Sequence, residues 1–283
     1  MRKVFAYICL IAVSLASLQA QNKKKITLNV ATFNLRMDTP SDGENAWPNR
    51  KEMVKGLIRF YDMDIVGTQE GFKHQLDDIV ELDEYAYAGA GRDDGKDSGE
   101  HSAILYKKKR FEVLDKGNFW FSEKPEVPGK GWDATCCNRI CSWAKFRDLK
   151  SGKEFLVFNS HFDHQGREAR KNSSLLLIDR IRKIAGSTPA FVTGDFNATP
   201  EDEPIQIIYD SGKLKDAFLV TEQPPYGTTG TFNSFKPDAP MKGRIDYIWI
   251  TPGITVKKYG TLNDIQYGRF PSDHFPVMIE AKL

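Results

Sequence analysis

Apolar strand segments alternate with amphipathic helix segments in two separate batches, and this pattern limits the fold more than any other feature of the sequence. Apolar residues at helical spacing predict helices at residues 47–61, 73–82, 167–185 and 203–211. β signals dominate residues 84–161, and further strands are predicted at residues 26–35, 64–69, 189–197, 244–251 and 276–282. Two batches of helices around many strands predict two sheets packed face to face, with the helices outside.

Residues 1–20 have the features of a secretory signal peptide. A basic start, Met1-Arg2-Lys3, precedes an apolar run, and small residues then favour cleavage after Ala20. Cys9 lies inside the run rather than just after it, which disfavours a lipoprotein anchor. No later apolar run approaches the roughly 20 residues that a membrane-spanning helix needs. We therefore expect a secreted or periplasmic protein without a stable membrane span, whose single domain comprises residues 21–283.

The charge balance argues against a dedicated nucleic-acid binder. The whole chain has 40 basic and 38 acidic residues, and the signal peptide contains two of the basic ones and no acid. The remaining chain is therefore neutral, whereas proteins that bind nucleic acid usually carry a basic excess. A local basic patch stays compatible with this balance.

Three cysteines remain after the signal peptide, namely Cys136, Cys137 and Cys141. An odd number in an exported chain indicates at least one free thiol. No fourth zinc ligand lies nearby at a matching spacing, so a structural role is predicted. A bridge between the two adjacent cysteines is left open.

Polar side chains mark one end of six of the predicted strands. These residues are Asn34, Glu70, His161, Asp195, Asn197, Asp246, Asp273 and His274. Taken singly, each can be explained as a turn former, a helix cap or a core histidine. Because sheets bring such strand ends together in one cleft, we expect them to form a single site.

The residue types in this set indicate phosphate-ester hydrolysis. The oxygen ligands are Asn34, Glu70, Asp195, Asn197 and Asp273. Such hard donors suit Mg²⁺, with Mn²⁺ or Ca²⁺ as alternatives, rather than zinc. The histidines have acidic neighbours that can orient them, and a cation, an imidazole–carboxylate pair and amide donors are the groups that this hydrolysis needs.

Together, the residues at these strand ends resemble those of a known superfamily, the endonuclease/exonuclease/phosphatase proteins. This superfamily includes deoxyribonuclease-like metal-dependent phosphoesterases. The motifs occur in order over nearly the whole mature chain: Asn34, Gln69-Glu70, His161, the GDFN sequence at residues 194–197, RIDY at 244–247 and SDH at 272–274. The resemblance implies a four-layer α/β/β/α sandwich with two mixed sheets. Other motifs are similar to those of the exported bacterial subgroup of small hydrolases.

The resemblance also implies residue roles. Glu70 would be the principal metal ligand, with Asn34 nearby and Asp273 assisting. Asp195 and Asn197 would orient the attacking water and the phosphate. His274, paired with Asp246, would contact the scissile phosphate, and whether Asp195 or His274 removes the proton is left open. His161 would be the second histidine with Glu100 as its carboxylate partner, although Asp163 could substitute.

Four further residues are candidates for substrate binding: Arg139, His164, Arg167 and Arg170. The arginines could clamp a terminal phosphate. The predicted function is hydrolysis of a small phosphate mono- or diester, such as an inositol or sugar phosphate or a phospholipid headgroup. We expect the protein to be a monomer. An endonuclease or exonuclease is the alternative. A glycosidase that uses Glu70 and Asp195 is less favoured because it leaves Asn34, Asn197 and both histidines without a role. A non-catalytic binding module is less favoured because the set of catalytic residue types is intact.

Overall fold

The computed structural model describes residues 25–283, so the predicted signal peptide lies outside the described residues. Within this range, no helix is long and apolar enough to cross a bilayer. Twelve strands are present here: β1 Thr27–Asn34, β2 Ile65–Gln69, β3 Tyr85–Ala88, β4 Ile104–Lys107, β5 Phe111–Trp120, β6 Ile140–Asp148, β7 Glu154–His161, β8 Ala190–Asp195, β9 Lys215–Asp216, β10 Asp246–Ile250, β11 Thr255–Thr261 and β12 Val277–Lys282.

The same range contains five α-helices and one 3₁₀ helix, which spans Pro40–Asn45. The α-helices are α1 Trp47–Phe60, α2 Lys73–Val80, α3 Arg167–Ala185, α4 Glu203–Asp210 and α5 Ala217–Val220.

The strands form two six-stranded sheets. The first sheet has the order β11-β12-β1-β2-β4-β3, and the second has the order β5-β6-β7-β8-β10-β9. Both are mixed, because β1 pairs with β2 and β7 pairs with β8 in parallel, whereas the other pairings are antiparallel.

Three apolar layers separate the sheets and helices. One layer fills the space between the sheets and includes Val30 and Ile248. A second packs α1 and α2 on the first sheet, and the third packs α3 and α4 on the second sheet around residues such as Leu177 and Trp249. Burial of these apolar side chains is the main stabilising contribution to such a layered domain. The predicted four-layer sandwich is confirmed.

Most of the predicted elements are present with slightly shorter ends, and the helix at Arg167–Ala185 has the predicted bounds. The sequence reading missed β9, α5 and β11. Strand β11 lies at the edge of the first sheet and carries two lysines, and a register shift between Val256 and Lys258 breaks its alternation of buried and exposed residues. The period-2 signal that identifies a strand is therefore interrupted there.

Strand pairing places the polar strand ends at one edge of the sandwich. Asn34 is in register with Gln69 in the first sheet, and His161 is in register with Asp195 in the second. Antiparallel β10 begins beside the end of β8, so that Asp246 pairs with Asp195. The turn before β12 reaches the same edge because β12 runs antiparallel to β1.

A buried polar network joins the two sheets beneath this edge. Asn159 on β7 donates to the carbonyls of Thr68 at 2.7 Å and Ala103 at 2.9 Å, and its side-chain oxygen accepts from Gln69 at 2.7 Å. Gly67 lets the strands approach, since a Cβ there would lie 2.5 Å from the Asn159 oxygen. The network fixes how the two sets of strand ends face each other.

Arg50 on α1 holds the loops around the edge. Its buried guanidinium donates to the carbonyls of Leu35, Arg36 at 2.6 Å, Asn45 at 2.8 Å and Pro271 at 3.1 Å. Burial lowers its pKa to about 10, against the attraction of nearby carboxylates. One side chain thus connects the segment after β1 to the turn before β12.

We expect Arg50→Ala to lower the free energy of unfolding by roughly 3 kcal/mol or more, because several buried carbonyls would lose a charged donor. The measurement is urea unfolding followed by circular dichroism. Arg59→Ala is the matched control on the same helix, since the Arg59 side chain is 61% exposed and lies 4.0 Å from Glu84; it should change stability by about 0.5 kcal/mol or less. Equal effects of the two substitutions would contradict the assignment.

Candidate active site

Asn34 connects carboxylates from the two sheets. Its amide nitrogen donates to Glu70 at 3.0 Å and to Asp195 at 3.0 Å, while its oxygen accepts from the Arg36 backbone at 2.9 Å. Glu70 also accepts from the Met37 backbone at 3.1 Å. In this geometry Asn34 presents a donor, rather than an oxygen ligand, to the carboxylates, and it holds Glu70 and Asp195 together.

His274 and Asp246 form a buried pair. The His274 Nδ1 atom lies 2.9 Å from Asp246 Oδ2, and Nε2 lies 3.8 Å from Asp195 Oδ2. Burial alone would lower the pKa of His274, but the charge and hydrogen bond of Asp246 outweigh it and raise the pKa well above the ordinary value. His274 therefore carries positive charge at neutral pH. The ring of Phe232 packs edge-on against it, with centroids 5.0 Å apart.

Asp195 and Glu70 are shifted in opposite directions. Burial, followed by the charge of Asp246, raises the pKa of Asp195 to about 7. Burial also acts to raise the pKa of Glu70, but the His274 charge and the hydrogen bonds from Asn34 and Met37 lower it. Two carboxylates with separated pKa values can divide proton transfer and charge binding between them. Asp195 is thus able to accept a proton from water near neutral pH.

Asn197 and His161 lie beside Asp195. The Asn197 backbone donates to Asp195 at 2.9 Å, and its side-chain amide donates to His161 Nε2 at 3.1 Å. Burial and the nearby charge of Arg139 lower the pKa of His161 well below its ordinary value, so the ring is neutral. Both Glu70 and Asn197 have left-handed backbones, with φ of 64° and 47°. Such conformations in non-glycine residues concentrate at functional sites.

Glu100, the predicted carboxylate partner of His161, lies near the ring but makes its closest contact elsewhere. Glu100 lies 3.8 Å from His161 Nδ1, but its close contact is with Arg92 at 2.6 Å. Burial raises the pKa of Glu100 to about 7. Asp163, the alternative partner, instead accepts from the backbone of the following turn and lies 3.6 Å from Arg139.

The donor set fits a hard divalent cation. Ligand atoms of Glu70, His161 and Asp195 lie within 4.8 Å of one another, and those of Asp195, Asp246 and His274 do the same. Most of these donors are carboxylate oxygens, which hard cations prefer. The predicted ligand Asp273 lies beside this set and its Oδ2 atom is 3.9 Å from Arg36.

One cleft of about 600 Å³ is lined by the acidic, amide and imidazole groups Glu70, Glu100, His161, Asp195, Asn197, Asp273 and His274. The lining also contains basic side chains: Arg139 and His164, as predicted, and Arg92, which the sequence analysis missed, while Arg36 lies beside Glu70 and Asp273. Arg92 occurs in a loop of charged and glycine residues, where nothing in the spacing separates it from a solvated surface charge. We call Arg92, Arg139 and His164 the basic lobe.

Two predicted substrate-binding arginines are not brought into the cleft. Arg167 has a side chain that is 80% exposed and lies 3.6 Å from Glu203. Arg170 donates to the backbone carbonyl of Asp163 at 3.2 Å and so supports the turn before α3. Both lie on the first turn of α3. Neither side chain lines the cleft, so their role as phosphate contacts stays a prediction without support from this geometry.

The cysteine segment forms part of the cleft wall. Cys136 and Cys137 are joined in a disulfide and line the cleft, and within residues 25–283 Cys141 is a buried free thiol. The bridge that the sequence left open is present, and the expected free thiol is confirmed.

Comparison with known proteins agrees with this geometry. Residues 31–274 match the Endonuclease/Exonuclease/phosphatase family. A solved member of that family from Bacteroides thetaiotaomicron is 42% identical, with a TM-score of 0.89 over 92% of this chain and 99% of the other. The mannosyl-6-phosphatase of the same organism is also 42% identical, with a TM-score of 0.86 over 90% of this chain and 99% of the other.

Curated relatives are more distant. The Ccr4 subunit of Mycosarcoma maydis, a 3'-5'-exoribonuclease of the CCR4-Not complex, is 23% identical over 95% of this chain and 52% of its own length. A mimivirus protein, L388, is 30% identical over 53% of this chain and 59% of its own. The chain thus spans little more than half the length of these relatives.

The chain belongs to the Endonuclease/Exonuclease/phosphatase family.

We expect His274→Ala to lower kcat and kcat/KM together by about 10²–10⁴-fold, because a charged contact in the transition state would be lost. Asp246→Asn should lower the pKa of His274 and move the alkaline limb of the kcat/KM profile to lower pH. The control is His74→Ala, since this side chain is 56% exposed and hydrogen-bonded to Asp38 outside the cleft lining. Near-normal turnover of His274→Ala would place the active site elsewhere.

Proposed function

We propose that the protein is an exported, Mg²⁺-dependent phosphatase of a small phosphate ester, with a sugar phosphate as the first substrate class to test. The observation that carries this proposal is the division of one cleft into a carboxylate cluster and a basic lobe. A cluster of carboxylates suits a cation, and a neighbouring basic lobe suits the oxygens of a phosphate. The similarity to a mannosyl-6-phosphatase supports the choice of a sugar phosphate.

The residues can divide the work of hydrolysis among them. Glu70, with Asp273 beside it, would hold the cation, which when bound neutralises charge on the phosphate oxygens. Asp195, with a pKa of about 7, would accept the proton of the attacking water. Positively charged His274 and the Asn197 amide would stabilise the charge that develops on the phosphate. This arrangement supports in-line attack by water.

A small substrate is favoured over a long nucleic acid for two reasons. The chain after the predicted signal peptide is neutral, so little long-range attraction for a polyanion is available. The catalytic groups also line a cleft of about 600 Å³, within the range of small-molecule sites.

We expect chelation to abolish activity and Mg²⁺ or Mn²⁺ to restore it. Glu70→Gln should weaken cation binding in calorimetry by roughly 10-fold or more, because a charged ligand is lost, while the unfolding transition stays cooperative. Glu84→Gln is the control, since its side chain is 54% exposed and pairs with Arg59. Full activity in the presence of chelator would rule out the metal-dependent mechanism.

Substrate class is tested with protein isolated from the periplasmic fraction, whose first residue should be Gln21 if the signal peptide is cleaved as proposed. Mannose 6-phosphate, glucose 6-phosphate and inositol phosphates are compared with bis(p-nitrophenyl) phosphate, plasmid DNA and poly(A). We expect the sugar phosphates to be turned over fastest at moderate salt. Efficient cleavage of plasmid or poly(A) without small-ester turnover would favour the nuclease alternative.

A further inference from the structure

Buried guanidinium nitrogens in the basic lobe have unused hydrogen-bonding capacity. Arg139 is only 5% exposed, yet its Nε and Nη1 atoms have no hydrogen-bond partner among residues 25–283, and the same holds for Nε of Arg92. Guanidinium groups keep their charge and can only donate. Buried charged donors without acceptors are unfavourable, so this lobe is built for an acceptor that comes from outside the chain.

The contacts that the lobe does make leave these donors free. Arg139 Nη2 lies 2.8 Å from His164 Nδ1, and Arg92 Nη1 donates to Glu100 at 2.6 Å. Asp163 Oδ2 also has no hydrogen-bond partner among the described residues, and it lies 3.6 Å from Arg139 Nε, just beyond hydrogen-bonding distance, while its other oxygen accepts from two backbone amides. The lack of an acceptor is therefore clearest at Arg139 Nη1 and Arg92 Nε. The carboxylates nearby thus offset part of the charge without occupying the free N–H groups.

The segment that precedes Arg139 fixes the lobe in place. The Asn138 amide donates to the Arg92 carbonyl at 3.4 Å, and Asp133 accepts from the backbone of Ala169 at 2.7 Å at the start of α3. The disulfide of Cys136 and Cys137 lies between these two anchors. Both sides of the lobe are therefore positioned before any ligand arrives, which reduces the entropic cost of binding.

Only one imidazole separates the lobe from the carboxylate cluster. His161 Nε2 lies 3.7 Å from Asp195, and its Nδ1 atom lies 3.8 Å from Glu100, which contacts Arg92. Arg139 and His274 line the same cleft, so a phosphate held at His274 would present its other oxygens to the basic lobe.

We propose that Arg92, Arg139 and His164 form an oxyanion subsite that takes the terminal oxygens of a phosphate monoester. The inference rests on the proposed function and adds a means of selection to it. A monoester carries a charge of about −1.5 to −2 near neutral pH and three terminal oxygens, whereas a diester has one charge and a substituent in place of one of these oxygens. The subsite therefore favours monoesters over diesters.

The first test measures binding of inorganic phosphate to metal-stripped protein by calorimetry. Arg139→Gln and Arg92→Gln should each weaken phosphate binding by roughly 10-fold or more, since a charge-assisted hydrogen bond is lost. Arg139→Lys keeps the charge but loses the planar fork, so an intermediate loss is expected. The control is Arg147→Gln, at the far end of the strand that follows Arg139, where the 42% exposed side chain pairs with Glu112 and Glu154.

Thermal unfolding of each variant shows whether it remains folded. If Arg139→Gln does not fold, the less constrained Arg92→Gln variant decides the question. Unchanged phosphate affinity in Arg92→Gln, or no phosphate binding by the metal-stripped wild type, would overturn the subsite.

The second test separates this inference from the proposed function. The ratio of kcat/KM for p-nitrophenyl phosphate to that for bis(p-nitrophenyl) phosphate is measured with Mg²⁺ present. We expect it to fall by roughly 10-fold in Arg92→Gln and to stay unchanged in Arg147→Gln. Wild-type turnover of neither ester would refute the proposed function, whereas monoester turnover with an unchanged ratio in Arg92→Gln would refute only the subsite.

Discussion

The burial of several carboxylates at one edge of the sandwich is the constraint on which the rest of the site depends. Asp195, Asp246 and Asp273 are buried, Glu70 is half-buried beside them, and like charges brought together from both sheets repel one another. The chain offsets this repulsion with the positive charge of His274 and with amide donors. The offset is incomplete, because burial and Asp246 still raise the pKa of Asp195 to about 7. A bound cation would complete it, so the affinity of this edge for a cation has the same physical cause as the raised pKa of Asp195.

Such a cluster persists only if the scaffold holds its members in place. The Asn159 network, the close approach of strands at Gly67 and the carbonyl contacts of Arg50 all lie around or beneath this edge. At the same edge Glu70 and Asn197 have left-handed backbones, a conformation that persists in non-glycine residues only where the surrounding structure fixes it. The stability of the layered core is thus used to maintain an arrangement that is locally unfavourable.

The polar residues at the strand ends could be predicted from the sequence. The local hydrophobic pattern shows where each strand ends, and the pairing of strands in a sheet brings those ends together at one edge. Asn34, Asp195 and His274 meet where parallel and antiparallel pairing requires them to meet. Residues outside that rule were harder to place. Arg92 is in a loop without periodicity, and the direction of Arg167 depends on how the first turn of α3 sits on the second sheet, which spacing along the chain does not reveal. Their placement comes from tertiary packing.

The neutral state of His161 shows how the two halves of the cleft can coexist. The positive charges of Arg139 and Arg92 act together with burial to keep the ring unprotonated, and the unprotonated Nε2 can then accept the Asn197 amide. Protonation would remove that acceptor and add a third positive charge beside the basic lobe. Because the ring stays neutral, it separates the carboxylates from the guanidinium groups without cancelling either charge. A phosphate ester needs both at once, since a cation must meet one of its oxygens while donors hold the others.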